Sequence, residues 1–277
     1  MNLMSSDAGS VNDSTISAAF YDKYWTKYDF LYHEFLCRTR TIMYLVNKIN
    51  LPKKSKILDI GCGLGFLSNL LTRFGEVEGI DISKRAIDTA SNMFPDVTFK
   101  HGDIFESMIP ESSYNLIVTT EVIEHIPRDK QEMFLGLIFD SLADNGYAII
   151  TTPNEVTAKK YDIVGNQPIE NWYSSKSLLE SLNKFFNNIG LYSTVFYNPR
   201  TAPRKGYFWI PLYFYLAETY LQKSDKGLYI LALVKKNDSH EDFMSKRGSI
   251  SSYVKSDMLM FGTLKDVRRV VSKSSVG

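Results

Sequence analysis

The chain has 277 residues, 44% of them hydrophobic and 23% charged, an ordinary composition for one globular domain with elaborations. Its 32 basic and 31 acidic side chains leave a net charge of +1, which gives no electrostatic bias toward nucleic acid or an anionic membrane. The two cysteines, Cys37 and Cys62, make no disulfide framework and fit a reducing, cytoplasmic setting; the first twenty residues show no secretory pattern, and no run approaches the roughly 20 apolar residues of a membrane span.

Residues 1–19 are small and polar and are expected to be mobile. From residue 20 the chain becomes aromatic, and Phe35, Leu36, Thr39, Met43, Val46 and Ile49 recur at helical spacing, which predicts one or two helices ended by Pro52. Strands and helices then alternate. Strands are expected at 56–60, 77–81, 97–103, 114–120, 147–153, 191–197 and 228–236. Helices are expected at 66–74, at 84–94 with Ser83 as cap, at 128–142 before the turn 144–146, and at 176–190. Ser174 or Ser175 caps the last of these and Gly190 stops it. This alternation predicts an α/β fold: a seven-stranded, mainly parallel, doubly wound sheet. On such sheets ligands sit at the carboxyl ends of the strands, and the polar residues cluster there, after strands one to four. Residues 237–277 read as a polar tail rich in Ser and Lys, with one apolar patch at 258–261.

Between the first strand and its helix stands "LDIGCGLGF", residues 58–66. Glycines at Gly61, Gly63 and Gly65 let the backbone approach a ligand, and the helix start beyond them can receive an anionic group. Asp81 ends the second strand, where one carboxylate can accept from two vicinal ribose hydroxyls. Asp103, in "HGD" after the third strand, is placed to accept from an adenine amino group. A ribose-containing cofactor follows from the set. The dinucleotide fingerprint G-x-G-x-x-G is not met, because Phe66 takes the place of its last glycine.

With these motifs in place the chain resembles the class I S-adenosylmethionine-dependent methyltransferases, from about residue 56 to 155 and more weakly to 236. The resemblance implies a helical lid over 20–52 and a cofactor-binding domain over 53–236, with a substrate-side insert at 198–227. It implies that Asp59 and the turn Gly61, Cys62, Gly63 and Gly65 hold the methionine part. Asp81 and Ile82 would meet the ribose, and Asp103 and Ile104 would flank the adenine. Thr119 and Thr120 would pass beneath the sulfonium, Arg40 would take the cofactor carboxylate, and Tyr24 of the lid would face the cofactor.

The segment "EVIEHI", Glu121 to Ile126, follows the fourth strand. It resembles the E-x-x-E-H of the ubiquinone-pathway O-methyltransferases and of the small-RNA 3′-terminal 2′-O-methyltransferases, which hold a divalent metal there. Three readings stay open. Glu121, Glu124 and His125 bind Mg²⁺ or Mn²⁺, whose preference for mixed oxygen and nitrogen ligands they suit. Alternatively His125, with Glu124, is a general base or substrate hydrogen-bond partner, or Glu124 is a helix-start charge beside a packed ring. The RNA group draws a further ligand from beyond its fifth strand, where this chain offers Asn154 and Glu155 and no histidine.

For the acceptor, the sequence offers Tyr21 and Trp25 of the lid, then Asn154, Asn171, Trp172 and Tyr173; packing is the competing role for each. The greasy stretch 207–221 serves as a pocket wall, a homodimer interface or a membrane contact. The expected function is methyl transfer from S-adenosylmethionine to a small molecule, at oxygen rather than at nitrogen. A metal-dependent RNA 2′-O-methyltransferase and a non-catalytic S-adenosylmethionine-binding protein are the alternatives.

Overall fold

The computed structural model describes residues 13–25, 33–160, 167–194 and 227–236. In chain order the elements are α1 (Asp13–Tyr24), α2 (His33–Lys48), β1 (Ser55–Ile60), α3 (Phe66–Leu71), β2 (Gly75–Asp81), α4 (Lys84–Met93), β3 (Thr98–His101) and β4 (Tyr114–Thr120). A 3₁₀ turn (Ile123–His125), α5 (Arg128–Ser141), β5 (Leu142–Pro153), α6 (Glu155–Lys160), α7 (Ser175–Leu182), β6 (Asn188–Thr194) and β7 (Tyr229–Lys235) follow.

The seven strands form one sheet in the order β3-β2-β1-β4-β5-β7-β6. All neighbours are parallel except β7, which runs antiparallel to both β5 and β6. The central strands are apolar on both faces, as helices on both sides require: Ile57, Leu58, Ile60, Leu116, Ile117 and Val118 are all buried. One core lies under α2 and α3, where Ile42, Leu45 and Val46 join Ile57, Leu71 and Val118. The other lies under α5 and α7, where Phe134, Ile138, Leu178 and Leu182 join Leu58, Ile117 and Ile150. Each such side chain stabilises the fold by about 1.5–3 kcal/mol on burial. The connection from β1 goes to β2 on one side, and the chain later returns to β4 on its other side. The switch point, and with it the ligand crevice, therefore lies at the carboxyl ends of β1 and β4.

Several elements depart from expectation. Helix α1 begins at Asp13, inside the stretch expected to be mobile. Helix α3 ends at Leu71, because the Thr72 hydroxyl turns back to the Asn69 carbonyl (2.7 Å) and the chain enters β2 at Gly75. Strand β5 starts at Leu142 and includes the expected turn; Asn145 (φ 61°) sits at an irregularity where the β4–β5 register shifts. Helix α7 stops at Leu182, and Gly190 lies within β6, where a Cβ would stand 2.8 Å from the Tyr192 hydroxyl. Ser174, not Ser175, caps α7 in a capping box with Ser177. Residues 1–12, the expected insert 198–227 up to residue 226, with its aromatic stretch 207–221, and the tail 237–277 lie outside the described residues. Among the described residues no helix is long and apolar enough to cross a membrane.

Candidate active site

A cavity of about 600 Å³ opens at the carboxyl ends of β1, β2 and β4, with α1 across it. The glycine turn forms its floor. Gly63 has φ 51°, and a Cβ there would fall 2.7 Å from the Trp25 ring, so only glycine lets α1 close this far. Gly65 (φ 75°) caps α3 and faces the sheet: a Cβ would meet Phe99 at 2.4 Å. Gly65 does not line the cavity, and its role is close helix–strand packing.

The acids expected for the cofactor are held by short bonds. Asp81 Oδ2 accepts the Gly63 amide and Oδ1 accepts the Ser83 amide, both at 2.8 Å. Burial raises its carboxyl above the ordinary range, and these two amides oppose the rise. Asp59 is 1% exposed, and its Oδ2 accepts the Ser68 hydroxyl at 2.6 Å. Its Oδ1 has no hydrogen-bond partner among the described residues. Burial pushes this carboxyl up to about 7 against the Ser68 bond. Cys62 is buried in the same wall, and desolvation holds its thiol well above the usual range, so it is inert. Ile82, Asp103, Ile104 and Phe105 line the third side, and Asp103 Oδ1 takes the Phe105 amide (3.0 Å). Thr120 lines the cavity; Thr119 is buried behind it.

The other end is built around the 3₁₀ turn. Glu121 takes a left-handed φ of 55°, a strained conformation for this residue type, which turns the chain sharply out of β4. Its Oε1 accepts the Thr151 hydroxyl (2.7 Å) and lies 3.9 Å from Arg38 Nε. Glu124 is fully buried, yet lines the cavity; neither carboxylate oxygen has a hydrogen-bond partner among the described residues. Desolvation, then the charge of Glu121, holds its carboxyl well above the usual range. His125 Nδ1 lies 2.8 Å from the Ile169 carbonyl, and Nε2 lies 3.7 Å from Glu124 Oε1. Burial lowers the imidazole below its ordinary value, against the Ile169 bond. Over it stands Tyr21, edge-on to the imidazole at 5.9 Å, with its hydroxyl donating to Gln167 Oε1 (2.6 Å).

Not every expected residue reaches the site. Arg38, rather than Arg40, lines the cavity, since two residues on a helix are roughly 200° apart. Asn154 is fully buried and ties the backbone instead: its Nδ2 donates to the Gly227 carbonyl (3.0 Å) and its Oδ1 accepts the Val156 amide (3.1 Å). Tyr173 donates to Gln131 Oε1 (2.6 Å) beneath the 3₁₀ turn, away from the cavity. Asn171 fastens the 167–173 segment, its amide donating to the Glu124 carbonyl (2.7 Å) and its Nδ2 to the Ile126 carbonyl (3.1 Å). Tyr21, Tyr24, Trp25 and Trp172 do line the cavity. Glu121, Glu124 and His125 do not converge: Glu121 is turned to Thr151 and Arg38, and His125 Nδ1 to Ile169. Among the described residues no group of three or more His, Cys, Asp or Glu side chains is placed to hold a metal ion.

A family model described as a methyltransferase domain matches residues 30–190. This chain belongs to that family. Its fold is that of the class I S-adenosylmethionine-dependent methyltransferases. The domain is similar to a probable S-adenosylmethionine-dependent methyltransferase of Mycolicibacterium smegmatis, 29% identical over 102 residues, covering 36% of this chain and 39% of that protein. It is also similar to a ubiquinone biosynthesis O-methyltransferase of Rickettsia felis, 34% identical over 127 residues, covering 43% of this chain and 50% of that protein. The chain thus spans half or less of the length of these two curated relatives. In fold it is similar to an S-adenosylmethionine-dependent methyltransferase from Thermotoga maritima (TM-score 0.60, 18% identity, 79% of this chain and 99% of that one). The N-methyltransferase NodS from Bradyrhizobium japonicum, solved with S-adenosylhomocysteine, is another such neighbour (TM-score 0.56, 15% identity, 80% of this chain and 100% of that one).

The methyltransferase domain's own residues fit that cofactor. Asp59 Oδ1 is a buried acceptor with no partner, beside the glycine turn, suited to an ammonium. Asp81 gives only one bond per oxygen to the backbone, which leaves lone pairs for two vicinal hydroxyls. Ile104 and Phe105 offer apolar surface for a flat base. Several contributors carried no sequence signature. Ser68, the Ile169 carbonyl and Gln167 act from segments that show no motif, although the polar run "NQPIEN" at 166–171 marked its neighbourhood.

Proposed function

We propose that this domain transfers a methyl group from S-adenosylmethionine to a hydroxyl of a small-molecule acceptor, with His125 Nε2 taking the proton. One observation carries the reading. The Ile169 carbonyl can only accept, so His125 Nδ1, 2.8 Å away, carries the hydrogen, and the Nε2 lone pair is left for the cavity. Burial lowers the imidazole's pKa, so it stands neutral, and able to accept, near pH 7.

When bound, S-adenosylmethionine supplies an electrophilic methyl group. The domain's residues do the rest: Asp59 receives the ammonium, Asp81 the ribose hydroxyls, and Ile104 with Phe105 the adenine. Tyr21 and Trp172 exclude water from the acceptor end, and Trp25 covers the glycine turn, which lets alignment act. A hydroxyl must lose its proton as it attacks, which gives His125 a task that a neutral amine acceptor would not impose. The likeness to ubiquinone biosynthesis O-methyltransferases supports oxygen as the acceptor atom.

The test is turnover of a panel of phenols and aliphatic alcohols with methyl-labelled S-adenosylmethionine. His125→Ala is expected to lower kcat by at least ~100-fold, the low end for loss of a general base, while cofactor affinity holds within about threefold. Near-normal turnover by the variant would sink the assignment.

A further inference from the structure

Glu124 is the one acid at the acceptor end whose carboxylate the described residues leave without a hydrogen bond. It is 0% exposed, it lines the cavity, and both its oxygens are shielded from solvent. The Thr152 hydroxyl and Glu124's own amide stand close enough to favour the ionised form, but neither reaches hydrogen-bond geometry. The other acids differ: Glu121 lies against Arg38 and Thr151, and Glu170 Oε1 accepts the Gln167 amide (2.9 Å). A buried carboxyl with no donor is strongly disfavoured unless the working complex brings one.

The surroundings define the kind of donor. Three acids, Glu121, Glu124 and Glu170, line the cavity with two cations, Arg38, which lies against Glu121, and Lys130, whose ammonium stands over the Phe105 ring 5.9 Å from its centroid. His125 adds no positive charge once burial has neutralised it. Tyr21, edge-on to His125, and Trp172 line the same end, and aromatic faces attract cations. Acidic excess and aromatic walls both favour a positively charged group and disfavour a carboxylate. Spacing then limits its place: Glu124 Oε1 lies 3.7 Å from His125 Nε2, so one small molecule can serve both atoms only through groups close together in it.

We propose that the acceptor is an amino alcohol, its reacting hydroxyl at His125 and a protonated amine on a neighbouring carbon seated against Glu124. This rests on the hydroxyl-acceptor reading above and makes Glu124 the residue that sets substrate class. The ammonium draws the Glu124 carboxyl, which burial and Glu121 hold toward its neutral form in the empty site, into its ionised form with release of its proton to solvent, and donates to the resulting carboxylate.

The experiment uses the full chain loaded with S-adenosylhomocysteine and three matched probes: trans-2-aminocyclohexanol, cyclohexane-1,2-diol and 2-hydroxycyclohexanecarboxylate. Calorimetric titration is expected to rank the amine at least tenfold tighter than the diol, with the carboxylate weakest. Glu124→Gln, which keeps size and removes charge, is expected to bring amine and diol within about threefold, with the variant's melting temperature and S-adenosylhomocysteine affinity reported alongside to show that it folds. Three results would overturn the proposal: equal binding of the three probes, including none; a Glu124→Gln variant that keeps the amine preference; or Mn²⁺ binding that Glu124→Gln abolishes. A loss of affinity for S-adenosylmethionine but not S-adenosylhomocysteine in Glu124→Gln would also overturn it, by assigning the charge to the sulfonium. His125→Ala separates the two readings: it removes turnover if the base assignment holds, and leaves the probe ranking intact if Glu124 alone sets it.

Discussion

Ser83 donates its hydroxyl to Asp22 Oδ1 across 2.6 Å, and this bond fastens the helix over the cavity to the helix that follows Asp81. The Arg85 amide reaches the same oxygen at 3.1 Å, so Asp22 serves as a cap from outside α4. On the other side Ser83 gives its amide to Asp81. Asp81, Ser83 and Asp22 form a chain from the cofactor side to α1, the helix that also puts Tyr21 on His125 and Trp25 on Gly63.

Removing the outer link should therefore weaken cofactor retention without touching a cofactor contact. Asp22→Ala is expected to raise the Kd for S-adenosylhomocysteine about 5–10-fold, in keeping with the loss of hydrogen bonds to one charged group. Asp22→Asn keeps an oxygen for Ser83 and should recover most of it. Titration calorimetry on both variants checks this; equal affinities for Ala and wild type would show that α1 and the ribose site are independent.

Trp25 offers an optical readout of the same closure. Its ring lies where a Cβ on Gly63 would be, 2.7 Å away. Gly63→Ala should push the ring out, alter tryptophan emission in the ligand-free protein, and cost at least ~100-fold in S-adenosylhomocysteine affinity, since the φ of 51° is itself unfavourable for alanine. Unchanged emission would mean that α1 does not rest on the turn in solution.

Tyr173 tests the opposite case, a residue that looks like a ligand contact and is used in packing. Tyr173→Phe leaves Gln131 Oε1 buried without its donor. A loss of about 1–3 kcal/mol in stability is expected, with S-adenosylhomocysteine affinity unchanged. Denaturant unfolding and titration together decide it; a change in affinity at unchanged stability would return Tyr173 to the site.

The contrast shows what a single sequence carries. The placement of the glycine turn at the cavity is legible because one short stretch, residues 58–66, makes both the turn and the setting of Asp59, and because the continuous apolar strands fix where Asp81 and Thr120 emerge. The acceptor end was only half legible. His125 is oriented by a backbone carbonyl 44 residues away, and a carbonyl has no side-chain signature. Arg38 and Arg40 share a helix whose rotation is set by tertiary packing, which residue order does not fix. Asn154 and Tyr173 read in sequence as ligand contacts for a common reason: a buried polar side chain that satisfies backbone or core looks the same there as one that meets a ligand. Gly190 follows a helical pattern and reads as its stop, yet the pattern breaks eight residues earlier, and the glycine relieves crowding against Tyr192 in a strand.

Asp59 sets stability against cofactor binding, and pH separates the two. Its carboxyl titrates near 7 in the fold and near 3.8 when unfolded. Between these values the native state holds a proton that the unfolded chain has released, so the stability this group contributes is present at low pH and is lost as pH rises through 7. A shift of this size corresponds to at most about 4 kcal/mol. Asp59→Asn, which cannot ionise, is therefore expected to melt higher than wild type at pH 8 and to differ little near pH 4. Binding runs the other way. An ammonium favours the ionised form, so wild-type affinity for S-adenosylhomocysteine should rise by up to tenfold per unit from pH 5 to pH 7, with a proton released on binding. In Asp59→Asn the affinity should be lower and flat over that range. Melting curves at the two pH values, and titrations in buffers of different ionisation enthalpy, measure both arms. A variant that melts lower at pH 8, or one that keeps the pH-dependent affinity, would place the unpartnered oxygen of Asp59 outside the ammonium site.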